Sequence, residues 1–181
     1  MNVRGLSFRA LKAMDCAVAA AAFAAQGWHK PLEQYQNYLR EQQEGALQVI
    51  VAWCEAEFAG YLVLRRRARY APFAAAGIPE IGDLNVLIKF RCRGIGAALL
   101  QQAEDLARAW RCAEIGLGVG LWKDYGSAQR LYIRLGYRPD GRGLHWRDRQ
   151  VGYGETVVAD DDLVLYLTKP LEPVRPGEPR R

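Results

Sequence analysis

Four cysteines and two histidines are all the thiol and imidazole side chains in this 181-residue sequence, and their spacing removes several classes of protein at once. Cys16, Cys54, Cys92 and Cys112 form no C-x-x-C, and His29 stands far from His145, so no metal site is expected. An even cysteine count would permit disulfides in a secreted chain, but this size and core favour free thiols and a cytoplasmic setting. No apolar run approaches the length that spans a bilayer, so no membrane association is expected. The segment Cys16 to Ala25 follows Arg4, Arg9 and Lys12, yet it is mostly alanine and Asp15 interrupts its start. It reads as a helix of the domain rather than a leader. No Gly-Lys-Ser/Thr follows a glycine turn, which removes the P-loop. Leu99 stands where a dinucleotide fingerprint needs its third glycine. Charge of one sign is also scarce, with a net +5. The basic run Arg65-Arg66-Arg67 with Arg69 has no aromatic interleaving, so no nucleic-acid partner is expected.

What the chain has in quantity is hydrophobic residues, 50% of the total, enough for one well-buried domain. That domain is expected over 1–169. The segment 170–181, with prolines at 170, 173, 176 and 179 and a closing Arg180-Arg181, reads as a flexible tail. Asn2 to Phe8 reads as a strand, Met14 to Gln26 as an alanine-rich helix, and Pro31 starts a second helix closed by Gly45. Ala46 to Cys54 and Phe58 to Leu64 form a hairpin around Glu55-Ala56-Glu57. Ala68 to Pro79 reads as a loop. The stretch 138–159 reads as turn-rich, shaping a pocket, and Leu163 to Leu167 closes the sheet. These elements predict a mixed α/β fold with about six or seven strands and four helices.

The most informative stretch runs from Leu84 to Trp110. An apolar strand pattern (Leu84, Val86, Leu87, Ile88, Phe90) passes into Arg91-Cys92-Arg93-Gly94-Ile95-Gly96 and then into a helix with Leu99, Leu100, Ala103, Leu106, Ala107 and Trp110 on one stripe. Two glycines at the helix start let the backbone point successive N–H groups outward, where the positive helix end adds to them. Arg91 and Arg93 add cationic donors, so the loop suits phosphate oxygens. Cys92 lies inside this loop between the two arginines. Further along, after a strand pattern at Ala113 to Val119, Gly126-Ser127-Ala128-Gln129-Arg130-Leu131-Tyr132-Ile133-Arg134-Leu135-Gly136-Tyr137 reads as a short helix with a glycine stop.

This pair of motifs, in this order and separation, resembles the GNAT superfamily of acyl-CoA-dependent N-acyltransferases, over roughly Gly60 to Tyr137. The resemblance implies a single-domain GNAT-like α/β fold, with a mixed, mostly antiparallel sheet splayed at its centre and acetyl-CoA wedged in the opening as co-substrate, without metal. It implies that Arg91, Cys92, Arg93, Gly94, Ile95, Gly96 and Ala97 grip the pyrophosphate, and that Leu84, Asn85 and Val86 pair with the pantetheine amides. Tyr132 would stand near the thioester sulfur as general acid, with Ala128 on the same helix. Tyr125 occupies the position where the family often carries an asparagine contacting CoA, and the glutamate some members keep on the following strand is Gly118 here.

An amine must be neutral to attack a thioester, and a lysine-like amine has a free pKa near about 10.4, so a base or a water chain is needed. Glu80, eleven positions before Arg91, matches the glutamate base of one branch of the family. Asp83 lies in an otherwise apolar strand, where a carboxylate needs a partner; substrate binding is its expected use. Both face the acceptor if the strand carries a bulge. Packing against the sheet is the competing account of Tyr132. Gly116, Gly118 and Gly120 line one face of the next strand, leaving room for a ligand or for another chain segment. Trp28, His29, Tyr35, Tyr70, Phe73, His145, Trp146 and Tyr153 populate the segments that would surround the acceptor. His29 and His145 read as satisfied loop histidines rather than bases, and Asp160-Asp161-Asp162 reads as an exposed strand entrance in preference to an attraction for a cationic amine. The expected activity is N-acetyl transfer from acetyl-CoA to a primary amine, by direct attack in a ternary complex, in a monomer or homodimer. A small-molecule acceptor is favoured; a non-catalytic acyl-CoA-binding or sensory module and a protein amino-group acetyltransferase are the alternatives.

Overall fold

The computed structural model describes residues 5–172. Its strands are β1 (Leu6–Ala10), β2 (Leu47–Cys54), β3 (Glu57–Arg65), β4 (Glu80–Val86), β5 (Glu114–Gly120), β6 (Arg138–Trp146), β7 (Arg149–Gln150) and β8 (Leu163–Pro170). The helices are α1 (Ala13–Ala25), α2 (Leu32–Gln43), α3 (Ala71–Ala76), α4 (Ile95–Ala109) and α5 (Gly126–Arg134). The strands form one sheet in the order β1-β2-β3-β4-β5-β8-β6-β7. The count exceeds the expected six or seven strands and four helices by β7 and by α3.

β1 through β4 are antiparallel neighbours, and β5 pairs with β8 antiparallel. Between the halves, β4 and β5 run parallel and pair only at Glu80 with Gly116 and Ile81 with Leu117. Beyond those pairs the strands have no register with each other. The sheet is therefore open along Asp83–Val86 on one side and Gly118–Gly120 on the other.

A bulge sets which side chains face the opening. Val63 pairs with Asp83 while Leu64 pairs with Ile81, so Gly82 is the extra residue. Without it, Asp83 would fall on the face opposite Glu80; with it, Glu80, Asp83 and Asn85 share one face with Tyr61 and Val63 of β3. Phe23 of α1 and Tyr35 of α2 pack edge-on against Tyr61 at 5.8 and 5.4 Å on that face. α4 covers the other face with Ile95, Leu99, Leu100, Ala103 and Ala107, all buried. Glu104 is buried beside them, satisfied by Lys169 Nζ at 2.7 and 2.8 Å and by the Tyr137 hydroxyl at 3.2 Å.

Several expectations need correction. The loop expected over 68–79 contains α3, whose Phe73 is buried. The apolar run to Phe90 is not all strand: β4 ends at Val86, and Ile88–Phe90 is a 3-10 turn. The first part of the turn-rich stretch after Tyr137 is β6, hidden from periodicity because it is mainly polar, largely exposed and irregular between Pro139 and Leu144. The domain continues past 169, since Pro170 ends β8 and buried Leu171 donates its N–H to Ala113 O at 2.8 Å. The rest of the expected tail and the start of the expected first strand lie outside the described residues.

The glycine stripe on β5 is filled from within. A Cβ on Gly116 would meet the Phe73 ring at 2.2 Å, one on Gly118 would meet Val164 at 2.8 Å and Tyr166 at 3.1 Å, and one on Gly120 would meet Tyr125 at 2.6 Å. Aromatic rings occupy the space left by the missing side chains. Phe73, Tyr70 and Tyr166 form a second small core there, with Tyr70 stacked on Tyr166 at 3.5 Å between ring centroids.

Candidate active site

The glycine turn begins α4 as the sequence predicts. Gly94 caps the helix at φ 85°, a left-handed conformation that suits glycine, and Cys92 adopts φ 60° two residues earlier. The first turn of a helix leaves its N–H groups without intrahelical acceptors, so those of Ile95, Gly96 and Ala97 are free for a ligand. The Ile95 side chain is buried and anchors the turn, whereas Arg91, Cys92, Arg93 and Gly94 are exposed. A Cβ on Gly94 would meet no atom within 4 Å, and one on Gly96 would touch Leu131 at 3.4 Å. The Arg91 guanidinium lies 4.9 Å over the Trp28 ring, and that of Arg93 lies 5.5 Å over Phe90. Trp28 thus supports the loop, and its ring also stacks on that of Phe23 at 5.8 Å.

Leu84, Asn85 and Val86 face Leu62, Tyr61 and Gly60 across β3, while their other edge has no strand partner. That edge borders the opening. Gly60 permits the close approach on the β3 side: a Cβ there would stand 2.3 Å from Asn85 O.

Asp83 collects donors from three elements. Its Oδ2 accepts the Tyr61 hydroxyl at 2.5 Å, the Tyr38 hydroxyl at 3.2 Å and Gln34 Nε2 at 3.4 Å, and Lys30 Nζ lies 3.5 Å away. Asn85 Nδ2 donates to Oδ1. Burial and then the charge of Asp83 push the Tyr38 hydroxyl up to about 12, and the same causes, in the same order, raise Tyr61 much further. Both phenols stay protonated and keep donating. Gln34 and Tyr38 also line a cleft of about 320 Å³ along α2, with Glu33, Glu41 and Arg69 on its walls. Gln34 and Tyr38 are the residues of this cleft that also reach Asp83.

Tyr132 stands on α5, its side chain buried and its ring 5.9 Å from that of Tyr137. Among the described residues nothing hydrogen-bonds its hydroxyl. Burial, then the charge of Asp83, then Tyr125 hold that hydroxyl above the usual phenol range, so it carries its proton at neutral pH. The same carboxylate acts on the Tyr125 hydroxyl, which burial and Asp161 push up to about 12. Tyr125 donates to Asp161 at 3.3 Å and lies against Gly120, while Ala128 packs on the core one helical turn before Tyr132. Asp83, Tyr125 and Tyr132 are therefore electrostatic neighbours, although β4 carries the first and the segment after β5 carries the others.

Glu80 is differently employed. It lies at the closed end of the opening, 8% exposed, and its Oε2 accepts the N–H of Arg69 at 2.6 Å and of Tyr70 at 3.3 Å. The carboxylate fastens the chain leading into α3.

The remaining acceptor-side residues divide. Tyr70 meets Asp140 at 3.1 Å and His145 Nε2 at 3.2 Å inside the second core. Trp146 and Asp162 N both donate to Asp160, and Tyr153 is fully exposed. Of the basic run, Arg65 is buried and paired with Glu41, and Arg66 lies over Trp110. Among the described residues no group of three potential metal ligands occurs, and no helix is long and apolar enough to cross a membrane. Tyr61, Tyr38, Gln34 and Lys30 are the site residues that spacing did not reveal. The only hint was the aromatic face of α2, carrying Tyr35 and Tyr38.

This architecture agrees with comparison to known proteins. Residues 16–137 match the Acetyltransferase (GNAT) family, and the chain belongs to it. No curated protein matches. Among solved structures, the ribosomal-protein-S18-alanine N-acetyltransferase from Escherichia coli is similar over 97% of this chain and 99% of its own, with a TM-score of 0.67 and 12% identity. The yncA structure from Salmonella typhimurium, solved with its cofactor acetyl-CoA, covers 96% and 99%, with a TM-score of 0.65 and 17% identity. A spermidine N-acetyltransferase chimera that includes Vibrio cholerae sequence covers 92% and 96%, with a TM-score of 0.68 and 14% identity. At such identities the likeness is one of fold.

Proposed function

We propose that this chain transfers the acetyl group of acetyl-CoA to a primary amine of a small molecule, by direct attack in a ternary complex. The observation that carries the reading is a multiply bonded carboxylate, Asp83, on the unpaired part of β4 beside the opening, whose charge also acts on the protonated phenol of Tyr132 on α5. The residues present fit the co-substrate. The open space at Gly94 and the free N–H groups of the α4 start suit a pyrophosphate, with Arg91 and Arg93 beside them. The unpaired edge of Leu84–Val86 suits the pantetheine amides. The yncA structure shows that this fold accommodates acetyl-CoA in another protein.

Acetyl-CoA supplies the activated acyl group; the chain supplies orientation and proton handling. An acceptor ammonium entering along α2 meets Asp83, which binds it and takes its proton. The neutral amine attacks the thioester carbonyl, the C–S bond breaks, and Tyr132 protonates the departing thiolate. Holding both reactants in one opening removes the entropy of encounter. Asp83 takes the base role here in preference to Glu80 because it lies on the part of β4 that has no β5 partner, whereas Glu80 lies at the closed end, paired with Gly116. Tyr125 borders the same opening from the α5 side.

The experiment is a thermal-shift and calorimetric comparison of CoA, acetyl-CoA, NAD and ATP, followed by an amine screen for CoA release. Selective acetyl-CoA binding with amine-dependent CoA release is the expected result. Binding without turnover on any amine or peptide amino terminus would make the chain an acyl-CoA-binding module, and failure to bind acetyl-CoA would overturn the reading.

A further inference from the structure

The loop between α1 and α2 places one of the chain's own amines where an acceptor would bind. Lys30 Nζ lies 3.5 Å from Asp83 Oδ2, with its ammonium 5.9 Å from the Phe23 ring centroid and 5.8 Å from that of Tyr61. A carboxylate flanked by two aromatic faces is the arrangement that holds a substrate ammonium. Both side chains of the pair are 19% exposed, so the contact is neither a solvated surface pair nor sealed in the core. The other four lysines are placed differently. Lys169 is bound to Glu104, Lys89 pairs with Glu57 on the surface, and Lys12 and Lys123 are exposed.

We infer that Lys30 is a self-acetylation site: in the absence of a competing amine, the acetyl group of bound acetyl-CoA passes to Lys30 Nζ. The inference rests on the acetyltransferase reading above. In the step, Asp83 accepts a proton from the ammonium, Nζ attacks the thioester carbon, the C–N bond forms and the C–S bond breaks. The thiolate takes a proton from Tyr132, and the second nitrogen proton leaves through Asp83 to water, restoring the tyrosine in exchange with solvent. Lysine ammonium and acetyl-CoA thus become acetyl-lysine, CoA and one released proton, with no further reactant. The product carries an uncharged amide beside Asp83 in place of the ammonium, so the modification would also alter which acceptors enter.

The test incubates the full chain with acetyl-CoA and no added amine, and follows each lysine by peptide mass spectrometry. Lys30 is expected to acetylate roughly tenfold or more faster than Lys89 and Lys123, because its amine is held against Asp83, the base of the proposed reaction. Excess CoA should suppress the Lys30 reaction and leave the surface lysines unchanged, and Asp83→Asn should bring Lys30 down to the surface rate. Should that variant fail to fold, CoA competition on the wild type alone decides. A Lys30 rate equal to that of the surface lysines, or one insensitive to CoA, overturns the inference. If acetyl-CoA binds and added amines release CoA while Lys30 stays unmodified, only this inference falls; if acetyl-CoA does not bind, both fall.

Discussion

Tyr61 donates its hydroxyl to Asp83 Oδ2 at 2.5 Å from the strand beside β4, and this contact ties β3 to the carboxylate that borders the opening in the sheet. The Asp83 carboxylate is thereby fixed while its charge reaches Tyr132. Asp83→Asn should lower amine-dependent turnover roughly a hundredfold or more while changing acetyl-CoA affinity only a few fold, since it removes a proton acceptor and leaves the phosphate loop intact. Steady-state kinetics and calorimetry on the same preparation check both parts.

Glu80→Gln should behave in the opposite way. A neutral amide accepts more weakly from the Arg69 and Tyr70 N–H groups, a loss of about 1–3 kcal/mol for bonds to a charged acceptor. The variant should unfold at lower temperature and keep turnover within a few fold. A large fall in kcat at unchanged stability would return the base role to Glu80.

For Tyr132→Phe the expected loss of turnover is again roughly a hundredfold, with acetyl-CoA affinity nearly unchanged, because the proton for the thiolate is lost and the ring remains. Near wild-type turnover would reduce Tyr132 to a packing aromatic against Tyr137.

Gly94→Val should abolish CoA binding by calorimetry. The residue sits at φ 85°, which a β-branched side chain strains to adopt, and the added atoms would fill the open space assigned to phosphate oxygens. Gly116→Ala is the matching stability control. Its methyl would lie 2.2 Å from the Phe73 ring, an overpacking that costs about 1–3 kcal/mol and lowers Tm.

Acid stability should depend on Asp15. Burial alone would raise its pKa, but the Arg9 guanidinium, the Lys12 N–H and the nearby positive charges outweigh burial and hold it below the usual range. A depressed folded-state pKa contributes stability that is fully present above the unfolded value, about 3.9, and is lost as pH falls through the folded value. Asp15→Asn should therefore be less stable than wild type at pH 7, with the gap closing below about pH 4. Denaturant titrations across that range measure the difference.

The sequence by itself determined the parts whose signal is local. The α4 stripe, the glycine turn ahead of it and the placing of Tyr132 on a short helix ending at a glycine follow from spacings of three, four and seven residues, which any helix must obey. The hairpin around Glu55-Ala56-Glu57 was legible in the same way, between two apolar runs, and the structure narrows its turn to Glu55-Ala56. Tertiary structure decided what surrounds each strand carboxylate. Glu80 and Asp83 are three residues apart and share a face only because Gly82 bulges, and one then meets backbone N–H groups before α3 while the other meets Tyr61, Tyr38, Gln34 and Lys30. Those partners lie 22 to 53 positions away along the chain, on a strand, a helix and a loop whose positions are set by how α1 and α2 pack on the sheet, a relationship that spacing within any one element does not encode.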